Sequence, residues 1–211
     1  GTMELTDGRT VDLRYVNPRK ALGLGLDMVS EDRNQEGLAL SMNVRENLTL
    51  SSLSAFATMQ GWGLLSPWRE RKAVERWIDE LNVQCEGAEQ QVADLSGGNQ
   101  QKVAIARILE RDADIILMDE PTRGIDVGTK GQIYQLMGEL AQEGRSIVFV
   151  SSYLPELLAV TDRLAVMHQG RLSAVRPTEE WTEESVMRFA TTGKGDVSAT
   201  QQDSARSTGE K

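Results

Sequence analysis

The sequence predicts an α/β fold built around a parallel sheet, and three observations support that prediction. Residues 115–118 and 146–150 are short apolar runs, the pattern of strands that are buried on both faces. The stretch between them repeats apolar residues at the spacing of an amphipathic helix. These are Ile133, Leu136, Met137 and Leu140. A strand, a helix and a strand in this order predict a parallel pair, and 211 residues with 39% hydrophobic content suffice for one domain with a small second one.

Shorter elements precede this unit. Residues 2–13 predict two short strands that turn at Asp7-Gly8, and Pro18 begins a short helix that ends at the glycines before a strand over residues 26–29. The stretches "NVRENLTLSSL" and "SPWRERKAVERWIDELNV" predict two further helices. The apolar spacing of the second helix predicts four core residues. These are Val74, Trp77, Ile78 and Leu81.

A further helix begins in "LSGGNQQKVAIARIL" and has an unusual first turn. Ser96 is a good N-cap, and the apolar stripe of Ile105, Ile108 and Leu109 predicts a buried face. Gly97 and Gly98 fill the first turn, although each glycine costs about 1 kcal/mol relative to alanine. A helix N-terminus offers unpaired N–H groups and partial positive charge, so this turn predicts the close approach of an anion, for which phosphate fits best.

Two acids follow the buried strand over residues 115–118. Asp119 and Glu120 come directly after it, and ligands of open parallel sheets bind outside the carboxyl ends of the strands. Asp119 is a candidate ligand for Mg²⁺, and Glu120 is a candidate to orient or deprotonate an attacking water. The alternative is that Asp-Glu-Pro is an ordinary strand exit.

The last part of the sequence offers no candidate catalytic residue. "LAVMHQGRLSAV" predicts a terminal hairpin, in whose turn His168 would be exposed and structural. From Thr191 to Lys211 the chain consists largely of Ser, Thr, Gly and Gln with balanced charge, which predicts a disordered tail.

Composition excludes several classes of protein. The single cysteine, Cys85, allows neither an internal disulfide nor a zinc cluster, which fits a reducing cytoplasm. A net charge of −9 disfavours broad binding to DNA, RNA or anionic lipid. No apolar run reaches the roughly 20 residues of a membrane span, and no signal peptide opens the chain.

These motifs resemble the nucleotide-binding cassettes of ABC ATPases. Residues 95–100 look like the signature motif, residues 115–120 like the Walker B strand, and residues 124–126 like the D-loop. Five motifs narrow the resemblance to the second cassette of tandem-cassette ATPases that drive bacterial import of monosaccharides such as ribose, galactose or xylose. They are "SEDRNQEGL", "SMNVRENLTL", "LSGGNQQK", "DEPTRGIDVG" and "VSSYLPELL".

The resemblance implies a P-loop NTPase-like ABC cassette, with a parallel core sheet, flanking helices and a small helical subdomain. It covers about residues 1–190. Residues 30–95 would form the Q-loop region and the helical subdomain, residues 96–175 the lobe with signature, Walker B and D-loop, and residues 191–211 the tail.

The resemblance also implies roles for individual residues, with ATP and Mg²⁺ as cofactors. Glu120 and Asp119 would be catalytic, and Asp119 would hold Mg²⁺. The signature residues would face the ATP that the opposite cassette holds. They are Ser96, Gly97, Gly98 and Gln100. Asp126 occupies the D-loop position. Glu31 replaces the usual glutamine and Ser152 the switch histidine, so this second ATP site is expected to hydrolyse more weakly.

One motif of the family is missing. No G-x-x-x-x-G-K-[ST] phosphate loop occurs, and "GIDVGTK" has the wrong glycine spacing. In the family this Walker A strand, loop and helix lie upstream, together with the aromatic residue that stacks on adenine. The chain therefore looks like a cassette cut on its N-terminal side, and it is expected to be inactive alone.

The implied partners are a first cassette of the same polypeptide or a homodimer mate, and transmembrane permease subunits contacted near Glu31 and residues 44–48. A periplasmic or extracellular sugar-binding protein would act indirectly, and nucleic acid is not expected. The implied location is the cytoplasmic face of the bacterial inner membrane, as a peripheral protein. Two alternatives stay open: a lobe of a chromosome-maintenance or repair ATPase, which should show heptads before Leu95, and a nonenzymatic interaction module of the same fold.

Overall fold

The computed structural model describes residues 2–4, 8–57 and 65–194. The chain divides into two compact units, residues 1–150 and residues 151–211. The strands are β1 (Thr2–Glu4), β2 (Thr10–Asp12), β3 (Leu26–Val29), β4 (Ile115–Asp119), β5 (Ser146–Val150), β6 (Arg163–His168) and β7 (Arg171–Pro177). The helices are α1 (Pro18–Gly23), α2 (Val44–Thr49), α3 (Pro67–Glu80), α4 (Gly97–Glu110), α5 (Val127–Gln142), α6 (Leu154–Val160) and α7 (Glu183–Thr192). None of the helices within the described ranges is long and apolar enough to cross a membrane.

The first unit is organised by a parallel sheet with the order β3-β4-β5. Val29 pairs with Met118, and Asp119 pairs with Val150, so the three strands end at the same edge. The predicted parallel pair and the predicted strand over residues 26–29 are thereby confirmed. β1 and β2 form the predicted antiparallel hairpin; Asp7 of its turn lies outside the described residues.

One face of this sheet is the core of the unit. Ile116 and Met118 of β4 are almost completely buried, and α4 packs beside β3, α2 and α5. Most residues of α4 are buried, including the predicted stripe of Ile105, Ile108 and Leu109. A helix buried on so many sides holds its N-terminal turn in a fixed place at the end of the sheet.

The opposite sheet face is open to solvent. Paired residues of parallel strands point to the same side, and on this side lies a continuous apolar set. We call it the open face: Leu26, Met28, Ile115, Leu117, Val148 and Val150. Met28, Val148 and Val150 each remain more than half exposed. The prediction that residues 146–150 are buried on both faces is therefore wrong, since every second residue of β5 is exposed.

α2 and α3 lie in the stretch that is predicted to form the helical subdomain. α2 begins at Asn43 with a capping box and ends at Thr49, earlier than predicted, and the chain continues in 3-10 turns over Leu50–Phe56. Of the predicted core residues, Val74 in α3 and Leu81 directly after it are buried. The other two, Trp77 and Ile78, are only half-buried, and the indole Nε1 of Trp77 donates to the carboxylate of Glu110 at 2.6 Å.

The second unit is the predicted hairpin of β6 and β7 with α7 packed on it. Its core consists of Leu164, Val166, Trp181, Val186 and Phe189. The sequence reading missed α7, which begins at a Thr182 capping box and runs to Thr192, two residues into the predicted tail. The rest of that tail, from residue 195, lies outside the described residues. His168 is half-buried rather than exposed, because a ring nitrogen bonds the carbonyl oxygen of Ala190 at 2.8 Å.

We expect Ile116→Ala to lower the free energy of unfolding of the 211-residue chain by about 2–5 kcal/mol, because it leaves a cavity in the covered sheet face. Val148→Thr, in the neighbouring strand on the open face, is the matched control and should change it by less than about 0.5 kcal/mol. Urea denaturation followed by circular dichroism measures both. Equal losses would show that the open face is also packed in solution.

Candidate functional site

The acidic residues predicted from the sequence gather at the edge where β3 and β4 end. Asp119 is the last residue of β4, Glu120 follows it, and Glu31 lies two residues beyond β3. The Glu120 N–H donates to the carbonyl oxygen of Val150 at 2.9 Å, and the Glu120 carbonyl accepts from the Arg123 N–H at 3.1 Å. The hydrogen bonding between β4 and β5 therefore extends to the backbone of Glu120, and the chain turns immediately after this residue.

Glu120 has an unusual backbone conformation. Its φ is +45°, in the left-handed region that glycine occupies readily and that other residues avoid. Such a conformation costs on the order of 1–3 kcal/mol, and it persists here because hydrogen bonds hold the backbone on both sides of the residue. Asn82 and Asp112 of the first unit also have a positive φ, but asparagine and aspartate adopt that region more readily than glutamate. Strain of this kind concentrates at functional sites, which makes Glu120 a candidate for chemistry.

Arg123 brings a positive charge to this edge. Its guanidinium forms an ion pair with the Glu31 carboxylate, and the two side chains are 68% and 43% exposed. An exposed ion pair adds little stability, but it connects the loop after β3 to the loop after β4. The sequence reading did not single out Arg123. The available signal was a lone cation between Glu120 and Asp126 in an acidic stretch.

The start of α4 is held by a compact set of hydrogen bonds. The Ser96 hydroxyl oxygen accepts from the Asn99 N–H at 3.4 Å and from Asn99 Nδ2 at 2.9 Å, which confirms Ser96 as the N-cap. Gln100 is buried, and its Nε2 donates to the carbonyl oxygen of Val92 at 3.0 Å. In this structure Gln100 supports the turn from behind, whereas Ser96 is exposed at its front.

The sequence predicts that Gly98 lacks a side chain to admit an anion, but the structure shows that it makes room for a neighbouring side chain. Gly98 is buried, and a Cβ placed there would lie 2.7 Å from Cγ2 of Thr129 in α5. The space left by this glycine is thus occupied by Thr129 and not open for a ligand. The predicted contacts of Ser96 and Gly97 with nucleotide stay predictions.

Asp126 begins α5 as its N-cap. Its carboxylate accepts from the Thr129 N–H at 3.0 Å and from the Thr129 hydroxyl at 2.7 Å. These hydrogen bonds hold the pKa of Asp126 below its ordinary value of 3.8. Through Thr129, the D-loop position and the start of the signature helix are neighbours.

A buried lysine joins α4 to the end of α3. Lys102 lies in the wall of a cleft of about 270 Å³ between α3 and α5, and its Nζ donates to the carbonyl oxygen of Asn82 at 2.8 Å. Burial lowers the pKa of Lys102, and the negative charge of Asp126 acts against that shift. The contact ties the segment after α3 to α4.

Ser152 belongs to the second unit, two residues past the end of β5, and is exposed. Next to it the Ser151 hydroxyl donates to the buried carboxylate of Glu156 and accepts from the Tyr153 N–H at 3.0 Å. These bonds shape the segment that carries Ser152. Periodicity did not reveal Glu156, because it is a charged residue in the first turn of a short helix.

A family model described as ABC transporter matches residues 1–123. Ribose import ATP-binding protein RbsA 3 of Rubrobacter xylanophilus is 46% identical over 90% of this chain, and RbsA of Geobacillus kaustophilus is 43% identical over 89%. A Burkholderia cenocepacia protein named for ribose, galactose and methyl galactoside import is 45% identical over 90%.

The chain spans little more than a third of the length of these curated relatives, 36% to 37%. Two solved structures share its fold at 22% and 23% sequence identity, each with a TM-score of 0.66. One is a dimeric ATP-binding cassette bound to ADP and Pi, and the other is a nucleotide-free ATP-binding cassette from an ABC transporter. They cover 82% and 84% of this chain, and each match covers 72% of the solved chain.

We expect Asp126→Asn to destabilise the chain at pH 7 but much less at pH 3. Folding lowers the pKa of Asp126 below 3.8, so the charged carboxylate stabilises the folded chain at pH values above 3.8. This stabilisation is lost as the pH falls through the pKa of the folded state. Asparagine keeps one oxygen to cap the Thr129 N–H but loses the acceptor of the Thr129 hydroxyl at every pH, so only the pH-dependent part of the difference reports the charge. Thermal unfolding of both proteins at the two pH values provides the test, and a pH-independent difference would show that the charge contributes nothing.

Proposed function

The chain belongs to the ABC transporter family, and from that premise we propose that it is the larger part of a nucleotide-binding cassette that hydrolyses ATP to drive monosaccharide import. The observation that carries this proposal is the pair Asp119 and Glu120 at the carboxyl end of β4, with Glu120 in a strained conformation. The names of the relatives, which concern ribose and galactose import, support the class of substrate.

In this proposal the two acids have different roles. Glu120 orients and deprotonates the attacking water, a task for a carboxylate held rigidly beside the reacting phosphate. Asp119 would hold Mg²⁺. Its carboxylate fits that ion, since Mg²⁺ prefers oxygen ligands and is usually held by one or two carboxylates, with waters and phosphate oxygens completing its shell. No cluster of three or more acids, histidines or cysteines that could hold a metal occurs in residues 2–4, 8–57 and 65–194. When bound, Mg²⁺ neutralises developing charge on the phosphates.

We propose further that the phosphate loop is supplied by polypeptide outside residues 1–211. Parallel sheets are almost always covered on both faces, whereas Met28, Val148 and Val150 of the open face are more than half exposed. No strand within the described ranges pairs with the outer edge of β5. A Walker A strand and helix would complete the edge and cover the face. Residues 1–190 would then be a partial cassette, with residues 30–95 as its Q-loop region and helical subdomain.

The signature turn faces a partner in this scheme. The exposed Ser96 hydroxyl and the N–H groups at the start of α4 would contact ATP held by a first cassette of the same polypeptide or by a second copy, with Asp126 beside them. Because Ser152 replaces the switch histidine, the second ATP site would hydrolyse ATP more slowly than the first. Membrane permease subunits would dock near Glu31 and residues 44–48, of which only Arg45 and Glu46 are accessible, at the cytoplasmic face of the membrane, with a sugar-binding protein acting indirectly.

We expect the 211-residue chain alone to show neither MgATP binding nor turnover, because the backbone cradle and lysine of the phosphate loop are absent from its sequence. A polypeptide that also contains the upstream loop should bind MgATP, and Glu120→Gln should lower its turnover without weakening binding. Calorimetry and a phosphate-release assay measure the two properties. Micromolar binding of MgATP by the 211-residue chain would refute the partial-cassette proposal.

The trans role of the signature turn has its own test. In the longer polypeptide, Ser96→Arg should lower ATP turnover and leave the ATP affinity of an isolated cassette unchanged, because Ser96 meets nucleotide only in the closed pair. Ser54→Arg, at another exposed serine of the first unit, is the control and should change neither. A weakened ATP affinity of the isolated Ser96→Arg cassette would contradict the assignment.

A further inference from the structure

We infer that Thr129 is a positioning residue that joins the start of α4 to the start of α5, so that the signature turn and Asp126 move as one unit. Three contacts converge on this side chain and its backbone: two hydrogen bonds to Asp126 and the packing of its methyl group against Gly98. That this unit acts in ATP hydrolysis rests on the proposed function, whereas the link between the two helix starts rests only on these contacts.

The hydrogen bonds fix the orientation of the threonine. Its hydroxyl donates to Asp126 Oδ2 at 2.7 Å, and its N–H donates to Asp126 Oδ1 at 3.0 Å. Thr129 is β-branched, so χ1 places hydroxyl and methyl together. Once the hydroxyl is bound to Asp126, the methyl cannot turn away from α4 without breaking that bond.

The methyl in turn fixes the distance between the helices. An ideal Cβ on Gly98 would lie 2.7 Å from Cγ2, 3.1 Å from Oγ1 and 3.2 Å from Cβ of Thr129. These separations are shorter than ordinary van der Waals contact, so only glycine allows the helices to approach in this way. A displacement of Asp126 is therefore transmitted through Thr129 to the backbone of the signature turn.

The contact between Gly98 and Thr129 predicts that Gly98→Ala lowers stability, the opposite of the usual effect of this substitution in a helix. Glycine to alanine in a helix normally raises stability, since alanine is the better helix former. At position 98 the clash with Thr129 should reverse the sign, and Gly98→Ala should lower the midpoint of thermal unfolding by about 5 °C. Gly131→Ala and Gly138→Ala in α5 are the controls, because a Cβ at either position meets nothing within 4 Å.

A double variant tests whether Thr129 is the cause. Thr129→Ser removes the closest atom, Cγ2, and keeps the hydroxyl that binds Asp126. It should restore a large part of the midpoint lost in Gly98→Ala while lowering that of the unchanged chain only slightly. Destabilisation by Gly98→Ala without recovery in the double variant, or no destabilisation at all, would overturn the inference.

Hydrogen exchange of the 211-residue chain tests the coupling itself. Thr129→Val keeps a methyl toward Gly98 and loses the hydroxyl hydrogen bond to Asp126, whereas the N–H bond remains. We expect faster exchange both at residues 127–130 and at residues 97–101. Thr129→Ser keeps the hydroxyl and removes the methyl, so it should leave residues 127–130 unchanged and speed exchange only at residues 97–101. Faster exchange confined to α5 would show that the two helix starts are independent. Since no nucleotide is present, this result stands apart from the outcome of the MgATP experiments.

Discussion

The in-register parallel pairing of β4 with β3 and β5 is the constraint on which the candidate site depends. It brings the carboxyl ends of three strands to one edge, so that the residues after β3 and β4 meet although they are far apart in the chain. A shift of one residue in either pair would turn every side chain of that strand to the other face. The burial of Ile116 and Met118 excludes such a shift, and it thereby fixes Asp119 and Glu120.

The two sheet faces make unequal contributions to this arrangement. The covered face supplies the apolar burial that holds β4 and α4 together, and α4 in turn carries the signature turn. The open face supplies little burial in the chain as it stands, although its residues are as apolar as those of the core. The chain thus keeps one well-packed sheet face and leaves an apolar surface on the other.

Local sequence patterns predicted the elements well where neighbours along the chain decide the structure. Pro18 begins α1, Ser96 caps α4, and the apolar run before Asp119 is β4. The resemblance to ABC cassettes added predicted roles for the acids and for the signature turn, which periodicity alone leaves open.

Contacts between distant residues were beyond such patterns. Gly98 and Thr129 lie on different helices, and the glycine pair by itself suggested a ligand instead of a neighbouring side chain. The ion pair of Glu31 with Arg123 likewise joins two loops. The exposure of β5 was missed because an apolar run shows what a strand can bury, and not what is present to cover it.

The left-handed backbone at Glu120 places stability and chemistry in opposition at one residue. Glycine at this position would adopt the same conformation without steric conflict, so drift toward a more stable chain favours loss of the carboxylate. Under the role proposed for Glu120, residue 120 offers a simple criterion across related chains: an acid there would mark a site kept for hydrolysis, and a glycine one released from it.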